Sequence, residues 1–461
     1  MTDRVIRGGA VVLAELEEPL YADIAISNGK VEALAAPGTI FEGAEELDVT
    51  NRVVTPGAVD PHVHVSWPYL DSRTLDDYQV ATRAAVHGGT TTIIDFAIEQ
   101  RDDPVAAISA RRAQAEGAAV CDYSFHLVVS TSQESTIAAL PAVVAEGVTS
   151  FKCYLTYRRR GLMVDDATLL AVFRAAAAAG AVVVVHAENG ALEEARLAPM
   201  VERGAGSASD YIDLKPPFVE AEAVARVSRL AAAAGAQVGI LHLSSEEGLR
   251  AAVSARGDCG QPARIETCPQ YLLLDQNRYK GSDGHHFLCS PPLRNAPNQV
   301  ALWDGLRTGD VSYVGTDHCL FSRAQKDRYR DSFWNCPHGL PGVETRSRLI
   351  LQQAPSRGIS LNRCVDALST SAARWFGLYP QKGTLMPGSD ADLAVWDLAD
   401  RSVIASEDLH MGCDWSPYDG FPSVAPPTDV LVRGRPLIRN GTFQDAPGWG
   451  TFLARVPGAA R

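Results

Sequence analysis

The sequence predicts an α/β architecture: a (β/α)8 TIM barrel with a small β-sandwich domain formed from both chain termini. Three observations lead there. Between Val53 and Asp317, an apolar β-rich run, a polar loop and an Ala-rich helical stretch recur in alternation, giving eight runs in all. Several runs are nearly continuous in Val, Ile and Leu, as parallel strands covered on both faces should be. The two ends of the chain instead carry short alternating stretches separated by Gly, Asn and Pro turns, the pattern of half-buried strands.

The eight runs fall at 53–65, 90–97, 122–129, 149–156, 181–188, 237–244, 264–274 and 312–318. Helix-like segments lie between them at 76–86, 166–179 and 220–234, the last with apolar residues at helical spacing. An open doubly wound sheet is the competing arrangement of such units, but a count of eight favours closure. At the ends, strands are expected at 10–16, 21–26, 30–34, 391–397 and 429–433, with a turn at Met386-Pro-Gly-Ser-Asp390. The expected division is therefore 1–52 plus 380–445 for the sandwich, 53–379 for the catalytic barrel, and 446–461 for a C-terminal tail.

Composition narrows the class of function. Hydrophobic residues make up 46% and charged residues 21% of 461 positions, an ordinary balance for a globular chain with a full core. The net charge of −13 argues against a nucleic-acid partner. No apolar run approaches the roughly 18 residues of a membrane span, and the N-terminus lacks the apolar core of a signal peptide. Nine cysteines without a Cys-x-x-Cys pair, in a chain this long, read as reduced thiols. A cytoplasmic protein without membrane contact is expected.

The residues able to bind metal are distributed with a pattern. Asp60-Pro-His62-Val-His64 ends the first run, and alternate residues of a strand share one face. At about 3.3 Å per residue, His62 and His64 stand about 6.6 Å apart along the strand, close enough to chelate one ion. Lys152 ends the fourth run, His186 the fifth, His242 the sixth and Asp317 the eighth. Each alone has a plainer reading: a core histidine, a snorkelling lysine, an aspartate capping the next helix. Together they bring nitrogen and oxygen groups from five strands to the carboxyl end of a barrel, where active sites are assembled.

Lys152 is the odd member, since an ammonium with an ordinary pKa near 10.4 cannot bind a metal. Addition of CO2 to its amine would make an anionic carbamate with two oxygens. Two divalent ions bring +4, against which Asp317, the carbamate and a bridging hydroxide each supply −1. The residual +1 can polarise a carbonyl. Without the carbamate, a buried ammonium would sit beside two cations, which is untenable.

These residues lie in stretches that resemble the amidohydrolase superfamily, in its hydantoinase and dihydropyrimidinase branch of cyclic amidohydrolases. The stretches are Pro56-Gly-Ala-Val-Asp-Pro-His-Val-His64, Gly88-Gly-Thr-Thr-Thr-Ile-Ile-Asp-Phe96, Ser150-Phe-Lys-Cys-Tyr-Leu-Thr-Tyr157 and Val185-His-Ala-Glu-Asn-Gly190. The resemblance continues in Leu241-His-Leu-Ser244, Glu266-Thr-Cys-Pro-Gln-Tyr-Leu272, Ser290-Pro-Pro-Leu-Arg294, Gly315-Thr-Asp-His-Cys319 and Gly339-Leu-Pro-Gly-Val-Glu344. It implies one ion on His62, His64, carboxylated Lys152 and Asp317, and a second on Lys152, His186 and His242. The ions would be zinc, with manganese or cobalt as alternatives. By the same resemblance Tyr157 donates to the developing oxyanion, Ser290 holds the amide ring, and Asp317 moves the proton. The substrate would be a small cyclic amide of hydantoin or dihydropyrimidine type, opened to an N-carbamoyl amino acid, and the assembly a homotetramer or homodimer.

Two departures bear on substrate choice. His338, in Cys336-Pro-His338-Gly-Leu-Pro-Gly342, stands where the family has an Asn that contacts the ring. Arg158-Arg-Arg160 follows Tyr157 where one basic residue is usual, and reads as solvated charge or as an attractor for an acidic substituent. The loop at 66–77, with Trp67, Tyr69 and Leu70, is expected to shape an apolar exocyclic pocket. An allantoinase or dihydroorotase shares the fold and metals, but a dihydroorotase usually has Arg directly after His-x-His, where this chain has Val65. Dihydropyrimidinase-like scaffold proteins do no chemistry and have lost metal ligands, whereas all six are kept here.

Overall fold

The computed structural model describes residues 2–98, 103–130, 132–259 and 263–458. The eight runs form one parallel sheet: β1 (Ala58–Val63), β2 (Thr90–Ile98), β3 (Asp122–Val128), β4 (Ser150–Tyr154), β5 (Val182–His186), β6 (Gln237–Ile240), β7 (Arg264–Thr267) and β8 (Tyr313–Val314), each beside the next. The ring closes where the backbone N–H of His64 donates to the carbonyl of His318 at 2.8 Å and that of His318 to His62 at 3.3 Å. Closure leaves no free sheet edge. β3, β4 and β5 are buried at every position, which is why they read as unbroken apolar runs.

Helices follow where the sequence places them. Asp77 caps Tyr78–His87 by accepting from the backbone N–H of Val80, and Asp165 caps Asp166–Ala179 through Thr168. Asp166–Ala179 and Pro217–Ala234 both end at a glycine with φ near +65°, Gly180 and Gly235, a left-handed turn that L side chains resist.

Three runs differ from expectation. The stretch 53–65 is two strands, not one. Val53–Pro56 pairs with Leu393–Trp396 and Ala10–Val11 in a seven-stranded terminal sheet, and only then does the chain enter β1. Gly57 makes the crossing, because a Cβ there would collide with Thr91 of the neighbouring strand. The stretch 264–274 stops as a strand at Thr267 and becomes the short helix Pro269–Leu273, with proline at its first position, where its missing N–H is no loss. In 312–318 only Tyr313–Val314 is regular strand. Its last residues are tied to the rim instead, Thr316 Oγ1 donating to Asp60 at 2.7 Å.

The terminal sheet draws on both ends of the chain and faces a four-stranded sheet of Arg4–Arg7, Asp23–Ser27, Lys30–Ala35 and Glu45–Asp48. Ile6, Val11, Ile24, Val54, Leu393 and Leu431 fill the space between. Beyond residue 446 the chain runs along the amino ends of the barrel strands: Thr451 N–H donates to Asp122 at 2.9 Å and Gly458 N–H to Gly180 at 2.7 Å. The last three residues of the expected tail lie outside the described residues. Among the described residues no helix is long and apolar enough to cross a membrane, and the eight cysteines with described side chains are free.

Candidate metal centre

His62 lies in β1, with His64 just beyond it. Lys152 lies in β4, and His186 ends β5. His242 and Asp317 follow β6 and β8 directly, so all six sit at the carboxyl mouth of the barrel. They line one cavity of about 410 Å³, together with Trp67, Tyr69, Tyr154, Tyr157, Ser290 and His338. The Nε2 atoms of His62 and His64 both lie 3.1 Å from the same Asp317 oxygen, Oδ1. The ring centroids of His186 and His242 are 4.4 Å apart, and those of His62 and His242 5.4 Å.

Backbone strain concentrates here. Tyr157, His242 and Asp317 have φ of +66°, +40° and +52°, a region that costs a non-glycine residue energy and survives where surrounding contacts impose it.

Lys152 is fully buried, and its Nζ has no hydrogen-bond partner. Burial outweighs the nearby Asp317 and Glu266 carboxylates and brings its pKa down to about 7. A neutral amine is the form able to add CO2. His64 Nδ1 and His242 Nδ1 are likewise buried without hydrogen-bond partners, while His62 Nε2 faces Asp317 Oδ1. Burial pushes the His64 and His186 imidazoles down to about 4, against the pull of Asp317 and Glu188 respectively, and His242 well below its ordinary value. Burial also disfavours charge on His62, but Glu266 and Asp317 together outweigh it and raise the ring to about 9. Desolvation opposes the Asp317 carboxylate, yet His62 and His64 hold it well below the usual range. Imidazoles held neutral at His64, His186 and His242, with His62 and an ionised Asp317 carboxylate beside them, are a donor set that fits divalent cations once His62 gives up its proton to the ion.

Several residues around this cluster had no assigned role in the sequence. Glu266, fully buried, accepts from His62 Nδ1 at 2.6 Å and from the backbone N–H of His242 at 3.0 Å, so one carboxylate orients two imidazoles. It stood in a quoted motif, at the end of a strand whose other neighbours carry ligands; that position was its signal. Glu266→Gln is expected to weaken metal affinity by about 10–100-fold, read by competition with a chelator. Unchanged affinity would leave Glu266 a packing residue.

Lys215 is the centre of a second buried network. Its Nζ reaches Glu188 Oε2 and Ser290 Oγ at 2.7 Å and Glu193 Oε1 at 2.8 Å. Burial would lower its pKa, but Glu188 and Glu193 overcome this and keep it charged. Lys215 and His186 hold Glu188 ionised against its burial, while desolvation raises Glu193. Tyr211 OH donates to Ser290 Oγ at 3.0 Å. Ser290 thus faces the cavity with its hydroxyl already oriented.

His338 lines the same cavity, with Nε2 donating to the Phe333 carbonyl at 2.9 Å and Nδ1 lying 3.3 Å from Tyr211 OH, which can donate either to it or to Ser290. Burial, with Lys215 and Lys326 nearby, drops its pKa to about 3, so the ring is neutral. The three arginines after Tyr157 divide. Arg158 and Arg159 are exposed, Arg158 pairing with Glu194 at 2.9 Å, whereas Arg160 is half-buried with its guanidinium 4.0 Å from the Tyr69 ring centre. Tyr69, Tyr157, Arg160 and His338 also border a second cleft of about 790 Å³ that opens to solvent, walled by Leu70, Leu197, Tyr211, Leu214, Phe333 and Trp334. Tyr69 and Leu70 line this cleft, while Trp67 faces the histidines.

A closed eight-stranded barrel with imidazoles, a carboxylate and a buried lysine at its carboxyl mouth defines a class, and residues 53–437 match the amidohydrolase family: the chain belongs to it. The family implies a divalent metal site. The chain is 38% identical over 461 residues to a D-hydantoinase of Streptomyces coelicolor, covering 98% of each chain. It is 39% identical over 462 residues to a D-phenylhydantoinase of Escherichia coli O1:K1, again covering 98% of each. It superimposes on the crystal structure of dihydropyrimidinase from Brevibacillus agri NCHU1002 with a TM-score of 0.95 at 36% identity, over 99% of both chains.

Proposed function

We infer that this protein is a cyclic amide hydrolase that opens a hydantoin or dihydropyrimidine ring to an N-carbamoyl amino acid, and we propose a pair of divalent ions, zinc foremost, as its cofactor. The observation that carries the reading is Lys152, an amine with no partner, buried among four imidazoles and an aspartate at the barrel mouth. In this reading Lys152 is carboxylated and shared by both ions, His62, His64 and Asp317 complete one ligand set, and His186 and His242 the other. Manganese or cobalt would suit the same donors.

Bound ions supply Lewis acidity toward the scissile carbonyl and a nucleophilic water at neutral pH. Asp317 takes the proton from the attacking water and returns it to the leaving ring nitrogen, base first and acid second. Its low pKa keeps the carboxylate ionised and so available to accept that proton at neutral pH, and Asp317 lines the cavity from a backbone held in the left-handed region. The Tyr157 phenol, kept protonated by burial even though Lys215 opposes this, donates to the carbonyl oxygen as charge develops there. Ser290, oriented by Lys215 and Tyr211, holds the ring amide. His338 braces Tyr211 from the cavity wall and presents its ring to the substrate.

The cleft beside the cavity receives the exocyclic substituent, and its aromatic and leucine walls favour an aryl or branched alkyl group. With Arg158 paired to Glu194 and Arg160 laid on Tyr69, an acidic substituent gains little. The expected result is a kcat/KM at least about tenfold higher for 5-phenylhydantoin than for a 5-carboxyalkyl hydantoin, the scale of a ~1–3 kcal/mol pocket preference. A spectrophotometric screen of both, with dihydrouracil, allantoin and dihydroorotate alongside, tests substrate class and substituent together. Hydrolysis of allantoin or dihydroorotate alone would replace the reading. We further propose a cytoplasmic homodimer or homotetramer, with 1–52 plus 380–445 as one domain, 53–379 as the barrel and 446–461 as a tail.

A further inference from the structure

Away from the barrel mouth, near the amino end of β2, two more imidazoles meet a carboxylate. His87 is the last residue of the helix Tyr78–His87, Glu344 stands two residues before the helix Arg346–Gln353, and His410 comes from the loop that follows Ser406–Asp408. The His87 and His410 rings lie almost parallel, 3.4 Å between centroids and 8° between planes. His410 Nδ1 is 2.8 Å from Glu344 Oε1, and its backbone N–H donates to Glu344 Oε2 at 2.7 Å. Among the described residues nothing partners His87 Nε2, although His87 is only 8% exposed.

We propose that His87, Glu344 and His410 form a divalent-metal site of zinc type, separate from the hydrolytic centre. One ligand atom from each of the three lies within 4.8 Å of the others. Bond lengths of about 2.0–2.2 Å place zinc ligands roughly 3.4 Å apart, so binding an ion requires the two stacked rings to rotate out of their parallel arrangement until their lone pairs converge. Two imidazole nitrogens and a carboxylate oxygen select zinc, copper or nickel over calcium or magnesium. The His410 side chain is 34% exposed, which gives an ion a way in and water the fourth position. Burial, reinforced by His410 and Arg83, holds His87 down to about 3, so its ring keeps a free lone pair at neutral pH. Arg83 is turned onto the Phe443 ring, 5.0 Å from its centre.

An ion here would tie a helix end to two loops. One of them reaches the hydrolytic site indirectly: Gly412 N–H donates to Asp76 Oδ1 at 2.7 Å, and Asp76 Oδ2 meets His318 Nε2 at 3.1 Å, beside Asp317. The role that follows is structural bracing, not chemistry.

The test compares the full-length chain with His410→Ala and His87→Phe, each loaded with zinc alone, dialysed and assayed for metal per chain. The wild type should retain one zinc per chain more than either variant, and zinc should raise its Tm more than theirs. Turnover of a cyclic amide at saturating metal should be the same in all three. His410 is partly exposed and phenylalanine keeps the stacked ring at position 87, so both variants are expected to fold. Equal zinc content across the three proteins overturns the proposal. So does a loss of zinc that turnover follows in proportion, since that ion would belong to the hydrolytic site.

Discussion

Lys152→Ala is expected to purify with fewer than two divalent ions per chain and to turn over below about a thousandth of the wild-type rate, on the order of 4 kcal/mol of barrier. The size follows from charge. Four imidazoles, neutral when they act as ligands, and the Asp317 carboxylate would offer one negative charge to the two proposed dications, and without an anionic bridge their repulsion at close range is uncompensated. Loss of fold would not explain the result. Lys152 is a fully buried amine without a partner, 4.6 Å from the Tyr154 ring centre and 5.6 Å from that of Phe96, and removing it relieves a desolvation cost in the metal-free chain. The metal-free variant should therefore melt no lower than the metal-free wild type. Two ions per chain in Lys152→Ala, with more than a tenth of the activity, would remove the carbamate from the account.

Asp317→Asn separates metal binding from proton transfer. The amide oxygen should still face His62 and His64, so the ions should largely remain, while the group proposed to accept and return the proton is gone. General acid–base catalysis contributes about 10²–10⁴-fold, and kcat should fall by that amount. Metal content and kcat measured on one preparation decide it. Retention of more than a tenth of the wild-type rate, with ions bound, would assign the proton shuttle elsewhere.

Both variants were choices the sequence alone could suggest, because the barrel converts order along the chain into position in space. A ligand-type residue at the end of each of several buried runs must arrive at one mouth if the runs are parallel and the sheet closes. His62, Lys152, His186, His242 and Asp317 were legible for that reason. The helices at 166–179 and 220–234 were legible from their helical spacing, while their caps at Asp165, Gly180 and Gly235 were not singled out. Boundaries were less legible where an apolar run changes partner without changing character. Val53–Pro56 and β1 are equally apolar, and only the collision that forbids a side chain at Gly57 separates them.

What the sequence by itself determined, then, was the kind of strand, the count of strands and the donors at their ends, all of which depend on short-range periodicity and residue type. Tertiary structure alone decided which residues support those donors. Glu266 reaches His62 across 204 positions and Lys215 reaches Ser290 across 75, and His338 sets its nitrogens beside Phe333 and Tyr211. His87, Glu344 and His410 meet from three separate segments. Such pairings follow from how loops and helix ends pack over the barrel, and no spacing along the chain encodes a contact that folding makes between distant segments.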